Sequence, residues 1–405
     1  MSHQQTVEFK NEAGLKLAGR LHLPLGPFRG AALFAHCFTC SKDIAAARQI
    51  ADGLSRSGIA VLRFDFTGLA QSEGDFADTG FHTNISDLIA AAAFMSGQSF
   101  GSHTLAPQLL IGHSLGGAAV LAAAPQIAGV KGVATIGAPA EPGHVLHLLD
   151  GEIDTILADG QGLVHIGGRP FPIGAGFVRD LQDRLSTDHI KRLSHDLLIL
   201  HAPLDSIVGI ENAAAIFAAA RHPKSFVSLD RADHLLSRAE DRQFAADMIS
   251  AWARRCLGQT APASSKSEGQ VDVSASADGD FAQDILVGEH SLRADEPVSV
   301  RGGLNSGPAP YDFLLAGLGA CTAMTLQIYA RRKGWPLTDI RVRLSHASAH
   351  QQDCLAEGCL DQMQRQIELS GPLDDSQRAQ LMQIADKCPV HKTLEAGVHV
   401  TTSAV

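Results

Sequence analysis

Residues 109–117 read Leu-Leu-Ile-Gly-His-Ser-Leu-Gly-Gly, and they constrain the fold more than any other stretch of the chain. An apolar strand runs into Gly112-x-Ser114-x-Gly116, and a helix of small residues, Ala118 to Ala122, follows at once. The turn between them must be sharp. A Cβ at Gly112 or Gly116 would crowd the backbone that lifts the Ser hydroxyl to the edge of a sheet. Gly-x-Ser-x-Gly is short enough to recur by chance, but here it has the strand–turn–helix setting of a nucleophile elbow.

The surrounding pattern supplies the rest of such a sheet. Residues 7–9 and 15–23 alternate apolar and polar around Asn11-Glu12-Ala13-Gly14, an opening hairpin. Apolar runs at 31–35, 59–66, 109–111, 130–136, 197–201 and 226–229 then alternate with helical patterns. This predicts the α/β class, a mostly parallel sheet with helices on both faces. Residues 139–190, punctuated by Gly167, Gly168, Pro170 and Pro172, form the one substantial insertion, placed to cap the site.

After residue 256 the composition breaks. Residues 259–269 are small, polar and unpatterned, which is a linker composition. Beyond them come alternating strands, a long apolar helix over 311–333, more strands, and a second helix over 374–387. The reading is a first domain over 1–258, a linker over 259–270 and an α+β domain over 271–405. A length of 405 residues fits two domains, and an apolar fraction of 45% is ample for two packed cores. A net charge of −10 argues against nucleic acid or an anionic membrane as partner. The longest apolar run follows Ser114 and stops at Pro125, too short for a membrane span. The first residues lack the apolar core of a signal peptide, so a cytoplasmic protein is expected. Seven cysteines, an odd number, point to reduced or reactive thiols rather than a disulfide framework.

A Ser hydroxyl at such a turn needs a base to take its proton, and the base needs an acid to orient it. On a sheet of this kind the acid and the His follow the Ser along the chain. After the run at 197–201 comes Ala-Pro-Leu-Asp205, a carboxylate at the carboxyl end of a strand. After the run at 226–229 comes Asp-Arg-Ala-Asp-His234, a His just past the final strand. Ser114, Asp205 and His234 are therefore expected to meet on one rim of the sheet. His201, His189 and Asp233 are rivals whose spacing fits less well. A developing oxyanion also needs two backbone N–H groups. Leu115 supplies one, and the loop after the run at 31–35, His36-Cys37-Phe38-Thr39, supplies the other.

With these residues the chain resembles α/β-hydrolases of the serine esterase type over residues 5–257. Arg63-Phe-Asp65-Phe-Thr-Gly68-Leu-Ala-Gln-Ser72-Glu-Gly looks like the loop after that family's fourth strand. The resemblance implies a carboxylester hydrolase that acts on a small-molecule ester and needs no cofactor. The family usually carries His-Gly before the oxyanion donor; Cys37 stands at that Gly here, which makes Phe38 the donor. Cys37-x-x-Cys40 also has the spacing of a redox motif. It is read here as two small residues of the loop, with the corollary that oxidising the pair would deform the loop and stop hydrolysis.

In the second domain Cys321 lies within an apolar helix, where a cysteine is most often a small core residue. Cys388 ends the second helix in Asp386-Lys-Cys388-Pro-Val-His. Arg301-Gly-Gly, Gly307-Pro-Ala-Pro310-Tyr-Asp-Phe-Leu-Leu, Gly319-Ala-Cys321 and Cys388-Pro-Val-His make residues 271–405 similar to the OsmC/organic hydroperoxide resistance family. The resemblance implies an organic hydroperoxide reductase in which Cys321 is the peroxidatic thiolate and Cys388 the resolving thiol. It implies Arg301 as the cation that stabilises the thiolate, a lipoyl-type dithiol as reductant, and a homodimer intertwined through the C-terminal domain. A Glu that helps hold the Arg in the better-characterised branch is replaced by Tyr311, beside Asp312. The alternative is an inert dimerisation scaffold behind a plain esterase or thioesterase. His346, His350, Cys354 and Cys359 have a spacing that suits zinc as well as it suits a polar loop, and no metal is assigned.

Overall fold

A computed structural model of the chain describes residues 4–24, 28–149, 151–166, 169–183, 186–258, 270–276, 279–288, 290–347 and 362–404. The chain divides into two compact units, Met1–Val271 with Leu286–Ser291, and Asp272–Ile285 with Leu292–Val405.

The first unit is built on eight strands: β1 (Gln4–Lys10), β2 (Lys16–His22), β3 (Gly30–Ala35), β4 (Ile59–Phe64), β5 (Leu109–His113), β6 (Gly132–Ile136), β7 (Asp196–His201) and β8 (Lys224–Ser228). Their order in the sheet is β1-β2-β4-β3-β5-β6-β7-β8. β2 pairs antiparallel with both β1 and β4, and every neighbouring pair from β4 to β8 is parallel. The inner strands are apolar throughout because both faces are covered. Along β3, Ala31, Leu33 and Ala35 enter one core while Ala32 and Phe34 enter the other; along β7, Leu197 and Ile199 face one way and Leu198 and Leu200 the other.

Helices α1 (Ala45–Arg56), α2 (Phe81–Ser96), α3 (Leu115–Ala123), α4 (Glu211–Ala219) and α5 (Ala239–Leu257) supply the covering layers. α1 and α5 pack on one face, through Ile50, Leu54, Ile249 and Ala253. α2, α3 and α4 pack on the other, through Leu88, Val120 and Ile216. The insertion after β6 folds as a hairpin, Gln161–Ile166 with Arg169–Gly174, flanked by the helices Ile153–Asp159 and Ala175–Gln182.

Beyond residue 270 come β9 (Val271–Ala275), β10 (Gln283–Val287) and β11 (His290–Ala294) as one small sheet, then α6 (Pro310–Lys333), then the antiparallel pair β12 (Asp339–Ala347) and β13 (Gln362–Ser370). α7 (Asp375–Ala385) and α8 (Pro389–Ala396) close the chain, and Leu326, Ala330, Leu381 and Ala385 form the core that joins α6 to α7. This is the α+β arrangement that the sequence pattern predicts.

Two points correct that reading. The long apolar stretch is not only the one after Ser114: α6, at 24 residues, is the one described helix long and apolar enough to cross a bilayer. Leu326 and Ala330 anchor it instead in the domain core. Cys388 does not simply end a helix either. It precedes α8, whose first residue is Pro389, a position where the missing N–H costs nothing.

Candidate active site

Ser114 sits between β5 and α3 with φ +56° and ψ −126°, a conformation that few L-residues adopt. Neighbouring chain holds it there. Its N–H donates to the Ile136 carbonyl at 2.8 Å. A Cβ at Gly112 would lie 2.3 Å from the Gly116 carbonyl oxygen, and one at Gly116 would lie 2.4 Å from that of His36. The elbow is thus pressed directly onto the loop after β3. Only hydrogen atoms fit in the space between.

The loops after β7 and β8 bring the acid and the His to the same rim. The Ser114 hydroxyl donates to His234 Nε2 at 3.0 Å, and His234 Nδ1–H donates to Asp205 Oδ2 at 2.7 Å. The N–H groups of Ile207 and Val208 donate to the other Asp205 oxygen, both at 2.9 Å. Burial alone would raise the Asp205 carboxyl, but the His234 hydrogen bond and these backbone donors outweigh it, and its pKa lies below the ordinary value. Asp205 is therefore a carboxylate oriented to fix the His234 tautomer.

The rival residues are engaged elsewhere. His201 Nε2–H donates to the Val208 carbonyl at 2.7 Å and so tethers the Asp205 loop. The His189 ring lies against the Ser186 carbonyl, and Asp233 accepts from the Ser237 N–H. One supporting residue escaped the sequence reading. His113, fully buried, donates from Nε2 to the His234 carbonyl at 2.7 Å. Burial, then the neighbouring His234, push its pKa down to about 4, so its ring is neutral. It stands at a variable position of Gly-x-Ser-x-Gly, where the motif carries no signal.

Leu115 opens α3, so its N–H is among those that no helical carbonyl takes. Phe38 lies in the loop after β3, and its N–H has no acceptor among the described residues. The Phe38 ring stacks on Phe177 at 5.3 Å and lies 5.7 Å from Phe76, which ties this loop to the inserted segment. Cys37 and Cys40 are joined as a disulfide. This corrects the reading of them as unlinked small residues. The Cys40 N–H donates to the Cys37 carbonyl, and that turn brings their Cα atoms to 5.3 Å, within reach of a bridge.

Among the described residues the second unit holds Cys321 and Cys388, both as free thiols, and the first unit holds a third, Cys256. Cys321 on α6 and Cys388 before α8 are hydrogen-bonded to each other. For Cys321, burial and then the Cys388 sulfur raise the thiol pKa. For Cys388, burial raises it, but the Cys321 hydrogen bond and the His391 and Val390 N–H groups lower it further. The first turn of α8 points its N–H groups at this pair, those of His391 and Val390 at Cys388 and that of Val390 also at Cys321.

Arg301 is exposed and makes no hydrogen bond or ion pair among the described residues. The guanidinium near the pair is that of Arg365, which donates to Thr322 Oγ1 at 3.1 Å, to the Ala385 carbonyl at 3.2 Å and to Asp386 at 2.6 Å. Thr322 in turn bonds the Cys388 sulfur. Arg365 lies on an alternating strand, β13, where its side chain reads as an ordinary charged position. Tyr311 stacks on His346 at 4.2 Å. The other members of the candidate zinc cluster, His350, Cys354 and Cys359, lie outside the described residues, and no metal-holding group of three occurs among the described ones.

Comparison with known proteins places both halves. A family model described as serine aminopeptidase, S33 matches residues 29–154, and one described as OsmC-like protein matches residues 303–403. The crystal structure of the esterase domain of a Rhodothermus marinus protein is 49% identical, spanning 64% of this chain and 100% of that one, with a TM-score of 0.52. The α/β hydrolase GrgF from Penicillium sp. sh18 is 18% identical over 63% of this chain and 99% of its own, with a TM-score of 0.51. A hypothetical protein from Pseudomonas aeruginosa, also 18% identical, spans 62% of this chain and 93% of its own at a TM-score of 0.53. These last two share the fold. No curated protein matches the chain. The chain belongs to the α/β-hydrolase family through an esterase-type first domain, fused to an OsmC-like second domain.

Proposed function

We propose that the first domain is a serine carboxylester hydrolase with Ser114 as nucleophile, His234 as general base and Asp205 as its orienting acid. The observation that carries this is the continuous relay from Ser114 Oγ through His234 to Asp205, at 3.0 and 2.7 Å. His234 takes the hydroxyl proton as Oγ attacks the acyl carbonyl, and the Phe38 and Leu115 N–H groups receive the oxyanion. Collapse expels the alcohol, protonated by His234. Water, deprotonated by the same ring, then releases the acid. In a series of p-nitrophenyl acyl esters the protein should turn over at least one chain length, and Ser114→Ala should lower kcat by about 10⁴-fold or more with the fold unchanged. A variant that keeps its activity would remove Ser114 from the mechanism.

The second domain is proposed to be a dithiol peroxidase acting on organic hydroperoxides in a cytoplasmic setting. A thiolate of the Cys321–Cys388 pair attacks the terminal peroxide oxygen, the O–O bond breaks, and the alkoxide leaves as the alcohol after taking a proton. The resulting sulfenic acid condenses with the other thiol, releasing water and forming the disulfide. A lipoyl-type dithiol would then reduce it by exchange. The hydrogen bond between the two sulfurs supports this reading. After one equivalent of cumene hydroperoxide, peptide mapping should find a Cys321–Cys388 link and a loss of two hydrogens. No link in folded protein would leave the domain a scaffold.

A homodimer through the second domain completes the proposal. α6 leaves Leu314, Met324 and Ile328 exposed by 47%, 60% and 68%, an apolar stripe for a second copy to cover.

A further inference from the structure

The loop that carries the Phe38 N–H is anchored at both ends by buried polar groups. At its start, His36 Nδ1–H donates to the Cys37 carbonyl at 2.8 Å, and His36 Nε2 accepts from the Phe66 N–H at 3.4 Å. At its end stands Lys42, whose side chain is 1% exposed. Its ammonium donates to Asp65 at 2.8 Å and to Gln71 at 2.7 Å, and its backbone N–H donates to the other Asp65 oxygen at 2.6 Å. The Lys42 carbonyl accepts from Arg63, and Arg63 Nε donates to His22 at 3.1 Å. None of these groups touches the triad. They serve the loop.

Between the anchors the Phe38 ring packs on Phe177 and Phe76, but the backbone of residues 38–40 has few hydrogen bonds. One backbone hydrogen bond, Cys40 N–H to the Cys37 carbonyl at 3.1 Å, closes the turn. Thr39 sits at φ +59°, a left-handed conformation that a β-branched residue resists. The Cys37–Cys40 bridge closes the turn around it.

We propose that the Cys37–Cys40 disulfide, set between the His36 and Lys42–Asp65 anchors, is a positioning element for the Phe38 oxyanion donor, so that hydrolysis by Ser114 depends on the bridge being closed. The inference rests on the hydrolase reading above. It also reverses the corollary drawn from the sequence, in which oxidation would stop the enzyme. Opening is a thiol–disulfide exchange. A thiolate of an external dithiol attacks Cys40 Sγ, on the more exposed residue of the two, and the Cys37 sulfur leaves and takes a proton. The second thiol of the reductant then displaces Cys40 from the mixed disulfide. Two loop thiols and one oxidised reductant result. Thr39 is then free to leave its left-handed conformation and carries the Phe38 N–H with it, while the anchors keep the rest of the loop in place. The loss should therefore fall on kcat and not on substrate binding.

The test uses the full chain, oxidised in air or reduced with dithiothreitol and desalted without oxygen. Peptide mapping reports the state of Cys37 and Cys40, and two assays report the site: turnover of a p-nitrophenyl ester and the rate at which a fluorophosphonate labels Ser114. Reduction should lower kcat and the labelling rate about ten- to a hundredfold, short of or up to the loss of a whole oxyanion donor. KM should stay within about twofold, and reoxidation should restore both rates. Cys37→Ala/Cys40→Ala should sit at the reduced level under both conditions and still unfold cooperatively. An opened bridge with kcat unchanged, or the double variant at wild-type kcat, would overturn the proposal. No labelling of Ser114 in either state would remove the hydrolase reading itself, and this inference with it.

Discussion

A buried histidine beside the triad makes the stability of this fold depend on pH. His113 is neutral in the fold, with its pKa lowered to about 4 by burial and by the neighbouring His234, against 6.5 for the free side chain. Below pH 6.5 the unfolded chain binds a proton on this ring and the folded chain does not, so stability is full above pH 6.5 and falls as the pH drops towards 4. Over that window the loss reaches about 3 kcal/mol. In urea unfolding at pH 7 and pH 5, wild type should lose about 2 kcal/mol more than His113→Gln, which keeps an N–H donor without the titration. Parallel losses in the two proteins would show that His113 is not the group responsible. Nothing in the sequence marks this residue. Ser114, at the junction of β5 and α3, is marked by its neighbours alone.

The turn and its two flanking elements form the next unit of structure. β5 and α3 can meet at Ser114 only because Gly112 and Gly116 let carbonyl groups approach to where a Cβ would stand. Gly116→Ala places a methyl 2.4 Å from the His36 oxygen and 2.6 Å from the Ala35 oxygen, both backbone atoms that cannot swing aside. Pushing the elbow off the loop should cost about 3 kcal/mol or more and separate Leu115 from Phe38. Thermal unfolding and ester turnover should both drop in this variant; full activity with an unchanged transition would mean that the contact is dispensable. The same two glycines are the part of the element that the sequence announces, through the spacing of Gly-x-Ser-x-Gly. The opposing loop is less visible. Its Cys-x-x-Cys spacing is plain, but the bridge depends on a turn, and the buried Lys42–Asp65 pair links residues 23 positions apart with no local pattern.

At the scale of the whole molecule, the first domain should work alone and the second should set assembly. The Rhodothermus marinus esterase domain is matched over its full length by 64% of this chain, and the OsmC-like match covers residues 303–403. Gel filtration should place the full chain at the mass of a dimer and residues 1–258 at that of a monomer with ester turnover retained. A monomeric full chain would refute the covered stripe on α6. The sequence by itself determined the α/β class, the succession of strands and helices along the chain and the chain positions of the candidates Ser114, Asp205 and His234, because apolar periodicity and Gly spacing are local properties written residue by residue. Tertiary structure decided what depends on groups far apart in the chain. It set His113 beneath His234, joined Cys37 to Cys40, buried Lys42 against Asp65, and brought Arg365 rather than Arg301 towards the second thiol pair. A buried charge or thiol takes its meaning from its partner, and that partner is chosen by packing, which no stretch of sequence spells out alone.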